Sequence, residues 1–390
     1  MFHLLFENIS DDGDIELWEL IIRGHEGWNT ASKIAVLEGM RLDGIETVTV
    51  GETLHVFWDC VPSGGGMRRW EHRVRSEDGM MWRLHPLPPW FESGNKSIYA
   101  TAGLRDTLHV LRYSYRDQSL WHSVRRPDGS WDELRSASIP ANEVVVAESD
   151  TPILGAVFVD DELHVCASSQ DMLYHTMRYR DGGWQAFRRA VAFQASVPPN
   201  LPVRLTCTAV GSDLHVVVSL FGRLWYHVVR RKDGSWTAPI HVGLPRVGDP
   251  AAGGIGHGCA ADHGQLHLFQ PPAPEARESR LWISHGRLTE VGSFEWSQDV
   301  VEGFGFRVPY RSGWLCAANY SGVSAVVLVP EVRELSPNAA ARMIRDEGLI
   351  PVFSGTQEPN PYVFHQDPRA GSPIRRGSTV KLRLRNGPVP

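Results

Sequence analysis

The tripeptide Leu-His-Val stands at Leu54-His55-Val56, Leu108-His109-Val110, Leu163-His164-Val165 and Leu214-His215-Val216. Related triplets stand at Phe2-His3-Leu4 and Leu266-His267-Leu268, and a faded copy at Leu315-Cys316-Ala317. The copies recur at intervals of roughly 50 residues, a period found in propellers and other repeat architectures. One supersecondary unit used repeatedly constrains the fold more than any single residue does.

Each triplet opens a longer pattern. An Asp-Gly pair follows at Asp78-Gly79, Asp128-Gly129, Asp181-Gly182 and Asp233-Gly234. Ahead of it stand a histidine (His72, His122, His175, His227) and then an arginine (Arg75, Arg125, Arg178, Arg230); a tryptophan (Trp82, Trp131, Trp184, Trp236) follows it. Weaker copies surround Trp18, Arg23 and Trp28, and Trp282, His285 and Trp296. Asp-Gly between β-rich runs is a strong hairpin signal, because both turn residues must tolerate positive φ. Four short strands per unit is the count of a propeller blade.

Helical periodicity is nearly absent before residue 336, which argues against helical solenoids. The expected fold is therefore all-β: a seven-bladed β-propeller over residues 1–329, with six blades as the alternative. The first copy begins at the second strand of its unit, and the last, around Gly305–Val329, lacks an outer strand. A blade shared between the two ends of the ring is the expected closure.

Composition narrows the function classes. A formal net charge of −6 argues against a nucleic-acid partner, which would want a basic face. No apolar run approaches a membrane span. The five cysteines (Cys60, Cys166, Cys207, Cys259, Cys316) are far apart and form no Cys-x-x-Cys pair, as expected of buried free thiols in a reducing compartment. No metal or cofactor motif is present, so none is expected. The N-terminus lacks signal-peptide features, so the expected location is cytoplasmic, with release or non-classical export as the route to any external partner.

The pattern changes after Val329. Ser336 and Pro337 form an N-cap and first-turn pair ahead of a short helix that Gly348 stops. The run Thr379-Val380-Lys381-Leu382-Arg383-Leu384 alternates as a half-buried strand should. The Val329-Pro-Glu-Val332 start, Gly348-Leu349, the Gln366-Asp-Pro-Arg-Ala-Gly371 turn and the Gly377-Ser-Thr-Val380 strand together resemble a PASTA domain. That resemblance implies a small α+β module over 330–390, cell-wall binding or a structural role, and a protein partner as a further use. The basic residues Arg375, Arg376, Lys381, Arg383 and Arg385 are read as the solvated face of an edge strand.

The Leu-His-Val, Leu-Trp-His-x-x-Arg and Asp-Gly-Ser-Trp phrases resemble those of fucose-lectin-type and tectonin-like β-propellers. The resemblance implies non-catalytic binding of glycans or cell-wall fragments at several equivalent sites between blades, against aromatic and arginine side chains. Residues four apart on a strand share a face, so Trp121 projects with Arg125, Tyr174 with Arg178, and Tyr226 with Arg230. An aromatic ring can stack on a pyranose and a guanidinium can serve its hydroxyls. Candidate ligand residues are therefore Trp82, Trp131, Trp184, Trp236, Arg75, Arg125, Arg178, Arg230, Trp121, Tyr174 and Tyr226. Other roles compete: the tryptophans as packing residues, the Leu-His-Val histidines as hydrogen-bonded core, and each arginine as partner of the turn aspartate.

Two further function classes stay open. One is a protein-interaction scaffold. The other is a glycoside hydrolase, which needs two suitably separated carboxylates. The insertions Val61–Met67 and Pro271–Arg280 offer only Glu275 and Glu278, so no catalytic residue is expected.

Overall fold

A computed structural model describes residues 2–10, 12–22, 28–51, 53–75, 81–92, 97–114, 119–137, 153–169, 172–193, 203–220, 224–243, 258–262, 264–270, 280–302, 315–319, 326–347, 349–355, 361–375 and 379–387. The chain divides into two compact units: Met1–Arg75 with Trp82–Asn319, and Ser76–Met81 with Tyr320–Pro390.

The first unit is a ring of four-stranded antiparallel sheets. Blade 2 is Met40–Val50, Thr53–Pro62, Arg69–Arg75 and Trp82–His85. Blade 3 is Ser97–Leu104, Thr107–Ser114, Ser119–Arg125 and Arg135–Ser136; blade 4 is Ile153–Val159, Glu162–Ser169, Met172–Arg178 and Arg188–Ala192. Blade 5 is Val203–Val210, Asp213–Leu220, Leu224–Arg230 and Ile240–His241; blade 6 is Gly258–Asp262, Gln265–Gln270, Arg280–Leu288 and Phe294–Glu302. Blade 1 joins the two ends of the unit. Its inner strand, Leu315–Asn319, pairs antiparallel with Phe2–Ile9, which pairs with Ile15–Ile22 and then Trp28–Leu37.

Each inner strand contacts the inner strands of its two neighbours, and the circuit closes from blade 6 through Leu315–Asn319 to blade 2. The described residues thus make six four-stranded sheets. The seven phrases counted along the sequence include Leu315-Cys316-Ala317. Those residues pair with Leu4, Leu5 and Phe6, because the first copy needs an inner strand and this segment supplies it.

The repeat has a packing reason. Leu and Val of each Leu-His-Val are fully buried and face the preceding blade: Leu163 and Val165 join Leu111, Tyr113 and Leu120 of blade 3. Burying such side chains is worth about 1.5–3 kcal/mol each. Inner strands approach closely enough to exclude side chains. A Cβ on Gly103 would stand 1.9 Å from the Thr49 carbonyl oxygen of blade 2. Sequence periodicity did not anticipate a one-turn helix, Pro89–Glu92, after the outer strand of blade 2.

The second unit packs the helix Pro337–Asp346 on a three-stranded sheet ordered Ile350–Gly355, Thr379–Asn386, Pro361–Asp367. The Ser336 hydroxyl accepts the Ala339 amide at 3.4 Å as N-cap. Val380, Leu382 and Leu384 alternate into a core with Val332, Ala340, Ile344 and Val363. A separate pair, Val326–Leu328 with Pro373–Arg375, lies beside it in sequence. The strand carrying Lys381, Arg383 and Arg385 is central, not an edge: Ile350–Gly355 pairs on one side and Pro361–Asp367 on the other. The three side chains are solvated through its outward face.

Candidate functional site: the inter-blade clefts

The two repeated histidines of a blade meet. In blade 2, His55 Nδ1 and His72 Nε2 are 2.9 Å apart; in blade 3, His109 and His122 repeat this at 2.9 Å. Blades 4 and 5 hold His164–His175 and His215–His227 at 3.0 Å, and blade 6 holds His267–His285 at 2.5 Å. The register explains the meeting: Phe57 stands opposite His72, two residues on from His55, so the rings are diagonal neighbours on one face. Burial lowers the pKa of His55 to about 3 and of His72 to about 2. It lowers His109, His164, His215 and His267 to about 4, and His122 and His227 to about 3. The pairs of blades 2 to 5 are therefore neutral at pH 7, one N–H donating to the other ring's lone pair.

The pairs face the following blade, which sends back its arginine and tryptophan. Across each Asp-Gly hairpin, Arg75 is opposite Trp82, Arg125 opposite Trp131, Arg178 opposite Trp184 and Arg230 opposite Trp236. Trp184 stands edge-on to His122 of the preceding blade at 5.6 Å, and Trp236 to His175 at 5.4 Å. Arg125 Nη2 donates to His85 Nδ1 of blade 2 at 3.3 Å, and Arg230 Nη2 lies 3.9 Å from Met177 Sδ of blade 4. Arg178 depresses the pKa of His109 and His122, after burial itself. Each of these clefts has a neutral imidazole pair on one wall and a half-buried indole and guanidinium on the other.

The candidate residues divide accordingly. The four tryptophans and four arginines come together pairwise in successive clefts. The tryptophans also pack: Trp82, Trp131, Trp184 and Trp236 each join an apolar cluster while staying half-buried. Trp121 is half-buried on the same strand as Arg125. Tyr174 is buried in the cluster between blades 3 and 4. Tyr226 is half-buried and packs on Phe193, just past the outer strand of blade 4, at 5.4 Å and on His241 at 5.8 Å.

Asp128 and Asp233 are bonded first to their turn serines and attract Arg125 and Arg230 more weakly; Asp78 lies outside the described residues. Asp128 Oδ1 accepts the Ser130 amide at 2.9 Å and its hydroxyl at 2.6 Å, and Asp233 does the same with Ser235. These bonds hold both carboxyls below the usual range. The aspartate shapes the turn through these serine bonds.

The copies diverge at the ends. In blade 1, Glu19 occupies the second histidine's place, 2.5 Å from His3 Nδ1, and is ion-paired with Arg75 of blade 2. His3 and Glu19 are fully buried and Arg75 is 7% exposed. In blade 6 the turn glycine is Gly292, which puts Leu288 and Phe294 where other blades have arginine and tryptophan. Phe294 keeps the edge contact, at 5.8 Å to His227. Counting from Glu19, the arginine position of blade 1 falls on Ile22 rather than Arg23, which lies outside the described residues, as do residues 271–279. Sequence reasoning also missed Trp90, on the one-turn helix, which meets Trp131 edge-on at 5.8 Å. Pro88-Pro89 before two aromatics, found in one unit alone, was the available signal.

In the second unit, buried Gln366 ties the start of the unit to the sheet. Its Oε1 accepts the Val332 amide at 2.9 Å and its Nε2 donates to the Pro330 carbonyl at 3.0 Å. Residues 327–386 match the model of the PASTA domain family. The PASTA domain was therefore correctly read from its turn and strand phrases.

The propeller fold is shared with solved structures at low identity. AofleA from Arthrobotrys oligospora, in a mutant with three arginines replaced by alanine, is 12% identical with a TM-score of 0.51, covering 81% of this chain and 89% of that one. A six-bladed lectin from Aleuria aurantia, described with a fucose recognition mode, is 12% identical with a TM-score of 0.49, covering 76% and 90%. The BP39L lectin from Burkholderia pseudomallei is 13% identical with a TM-score of 0.46, covering 76% and 80%. No curated protein matches by sequence. Among the described residues no group of three or more His, Cys, Asp or Glu is placed to hold a metal ion, and no described helix is long and apolar enough to cross a membrane.

Proposed function

We propose that the propeller is a non-catalytic carbohydrate-binding module with several sites between blades, and that its PASTA domain binds cell-wall peptidoglycan. The observation that carries this reading is the recurrence, in four successive blades, of an arginine opposite a half-buried tryptophan. An indole offers a surface for a pyranose's C–H groups and a guanidinium offers fixed donors for its oxygens. Weak sites repeated around a ring gain affinity for a multivalent surface by avidity.

The clefts favour binding over catalysis. A glycosidase places two carboxyls ~5–10 Å apart around the scissile bond. Glu19, on the wall that faces Arg75, is committed to His3 and Arg75. A glycan array followed by titration calorimetry tests the reading; no sugar binding at millimolar concentration would reject it.

A protein-interaction scaffold is the second reading. It is favoured by the exposed Ile350, Val352 and Phe364 of the PASTA domain. Co-purification of a defined protein partner, with binding lost on replacing Val352 and Phe364 by serine and no glycan signal, would select it.

A further inference from the structure

The four arginine clefts are chemically unequal. We infer that the three clefts holding Arg125, Arg178 and Arg230 bind acidic saccharides through their carboxylate, while the cleft of Arg75 is silent. The inference rests on the carbohydrate-binding reading and adds the ligand class and the identity of the competent sites.

The difference lies on the facing wall. Arg75 meets Glu19, whose carboxylate pairs with its Nη1 and with His3 Nδ1, while Ser32 Oγ donates to the other oxygen at 3.2 Å. The cation is neutralised and buried, with no capacity left for a ligand anion. Opposing Arg125, Arg178 and Arg230 are the pairs His55–His72, His109–His122 and His164–His175. An imidazole pair sharing one hydrogen bond brings no negative charge.

Among the described residues, none of these three arginines forms an ion pair. Arg126 and Arg231, their chain neighbours, do: they hold Asp132 and Asp213. The nearby turn carboxylates of Asp128 and Asp233 are solvated and engaged by serines, so water screens their attraction. A half-buried guanidinium with no ion-pair partner and only a screened carboxylate nearby is best satisfied by a ligand carboxylate, which it can grip through two parallel hydrogen bonds. A uronic, sialic or muramic acid carries that group on a ring or short arm whose apolar side can lie against the adjoining indole. A neutral hexose would leave the cation uncompensated.

The two remaining positions lack the cation altogether, with Leu288 in blade 6 and Ile22 in blade 1. Three competent sites per chain follow.

The test is calorimetry on the full-length protein with four matched pairs: glucuronic, galacturonic, N-acetylneuraminic and N-acetylmuramic acid glycosides, each against its methyl ester. The expected result is that at least one acid binds about tenfold or more tighter than its ester, weakens at high ionic strength, and shows three sites. Arg125→Gln, Arg178→Gln and Arg230→Gln each remove one site; Arg75→Gln removes none. Should a glutamine variant unfold, Arg→Lys at the same position keeps the charge and loses the fork, so binding weakens without a change in site count. Esters binding as tightly as acids, or binding confined to neutral glycans on the array, overturn the acidic preference but leave the carbohydrate reading standing. Loss of a site in Arg75→Gln overturns the silent cleft. No binding of any carbohydrate overturns both.

Discussion

The guanidinium of Arg178 lies directly beneath Gly182: a Cβ added there would stand 3.2 Å from Nη2. The same holds at Gly129 over Arg125, at 3.3 Å, and at Gly234 over Arg230, at 3.4 Å. Each glycine also has φ near +90°, a region L side chains rarely adopt. The turn thus needs glycine twice, for its backbone and for the arginine below it.

Replacing Gly182 by alanine is expected to destabilise the propeller by about 1–2 kcal/mol through backbone strain. It should also push Arg178 from its place and weaken ligand binding in that cleft alone. Urea denaturation and site counting by calorimetry check the two effects. Unchanged stability would mean that the turn can rearrange.

The histidine pairs make stability depend on acidity. Their folded pKa values, about 4 for His109 and about 3 for His122, lie below the ordinary 6.5 because burial disfavours the charged ring. Between those values the unfolded chain binds more protons than the folded one, so stability rises with pH there. It is therefore full above about pH 6.5 and falls as the solution is acidified toward pH 4 and 3, each pKa unit being worth about 1.4 kcal/mol per group. Urea midpoints should hold from pH 7.5 to about 6.5 and drop from there to pH 4.5; a flat profile across the whole range would contradict the neutral pairs.

Glu19→Ala is expected to cost about 3–5 kcal/mol, because it leaves Arg75 buried beside His3 without its counter-charge. Combining it with Arg75→Met should recover part of the loss. A double-mutant cycle by denaturant unfolding measures the coupling, and additive effects would deny it.

Gln366→Ala removes a side chain that serves one backbone donor and one backbone acceptor. A loss of about 1–3 kcal/mol is expected in the PASTA domain. Hydrogen exchange should show faster opening at Val332, with the Leu-His-Val strands of the propeller unaffected.

Much of this architecture was legible because the repeat writes its own strands. Leu-His-Val, Asp-Gly and the closing tryptophan marked the hairpins, and among the described residues they fall where expected. Blade count was harder, since it depends on which residues pair across the ends of the unit. Leu315-Cys316-Ala317 looks like a unit's opening phrase and serves as one strand of the first blade. The meeting of His55 with His72 required cross-strand register, which a list of spacings does not contain. Likewise, the sequence placed Arg75 and Arg125 on equal terms. Glu19, 56 residues before Arg75, separates them only once the blades stand side by side.

The strand Phe2–Ile9 precedes the other described strands of its unit and takes its inner partner, Leu315–Asn319, from the unit's far end. Bringing such distant segments together carries a loop-closure cost that grows only slowly with length, but the contact is as non-local as this unit permits. Until it forms, a nascent chain presents an open edge of backbone donors and acceptors, the kind of template on which chains join one another. Translation to residue 319 is thus the moment at which the circle can clasp, and a product cut short before it would be left prone to self-association.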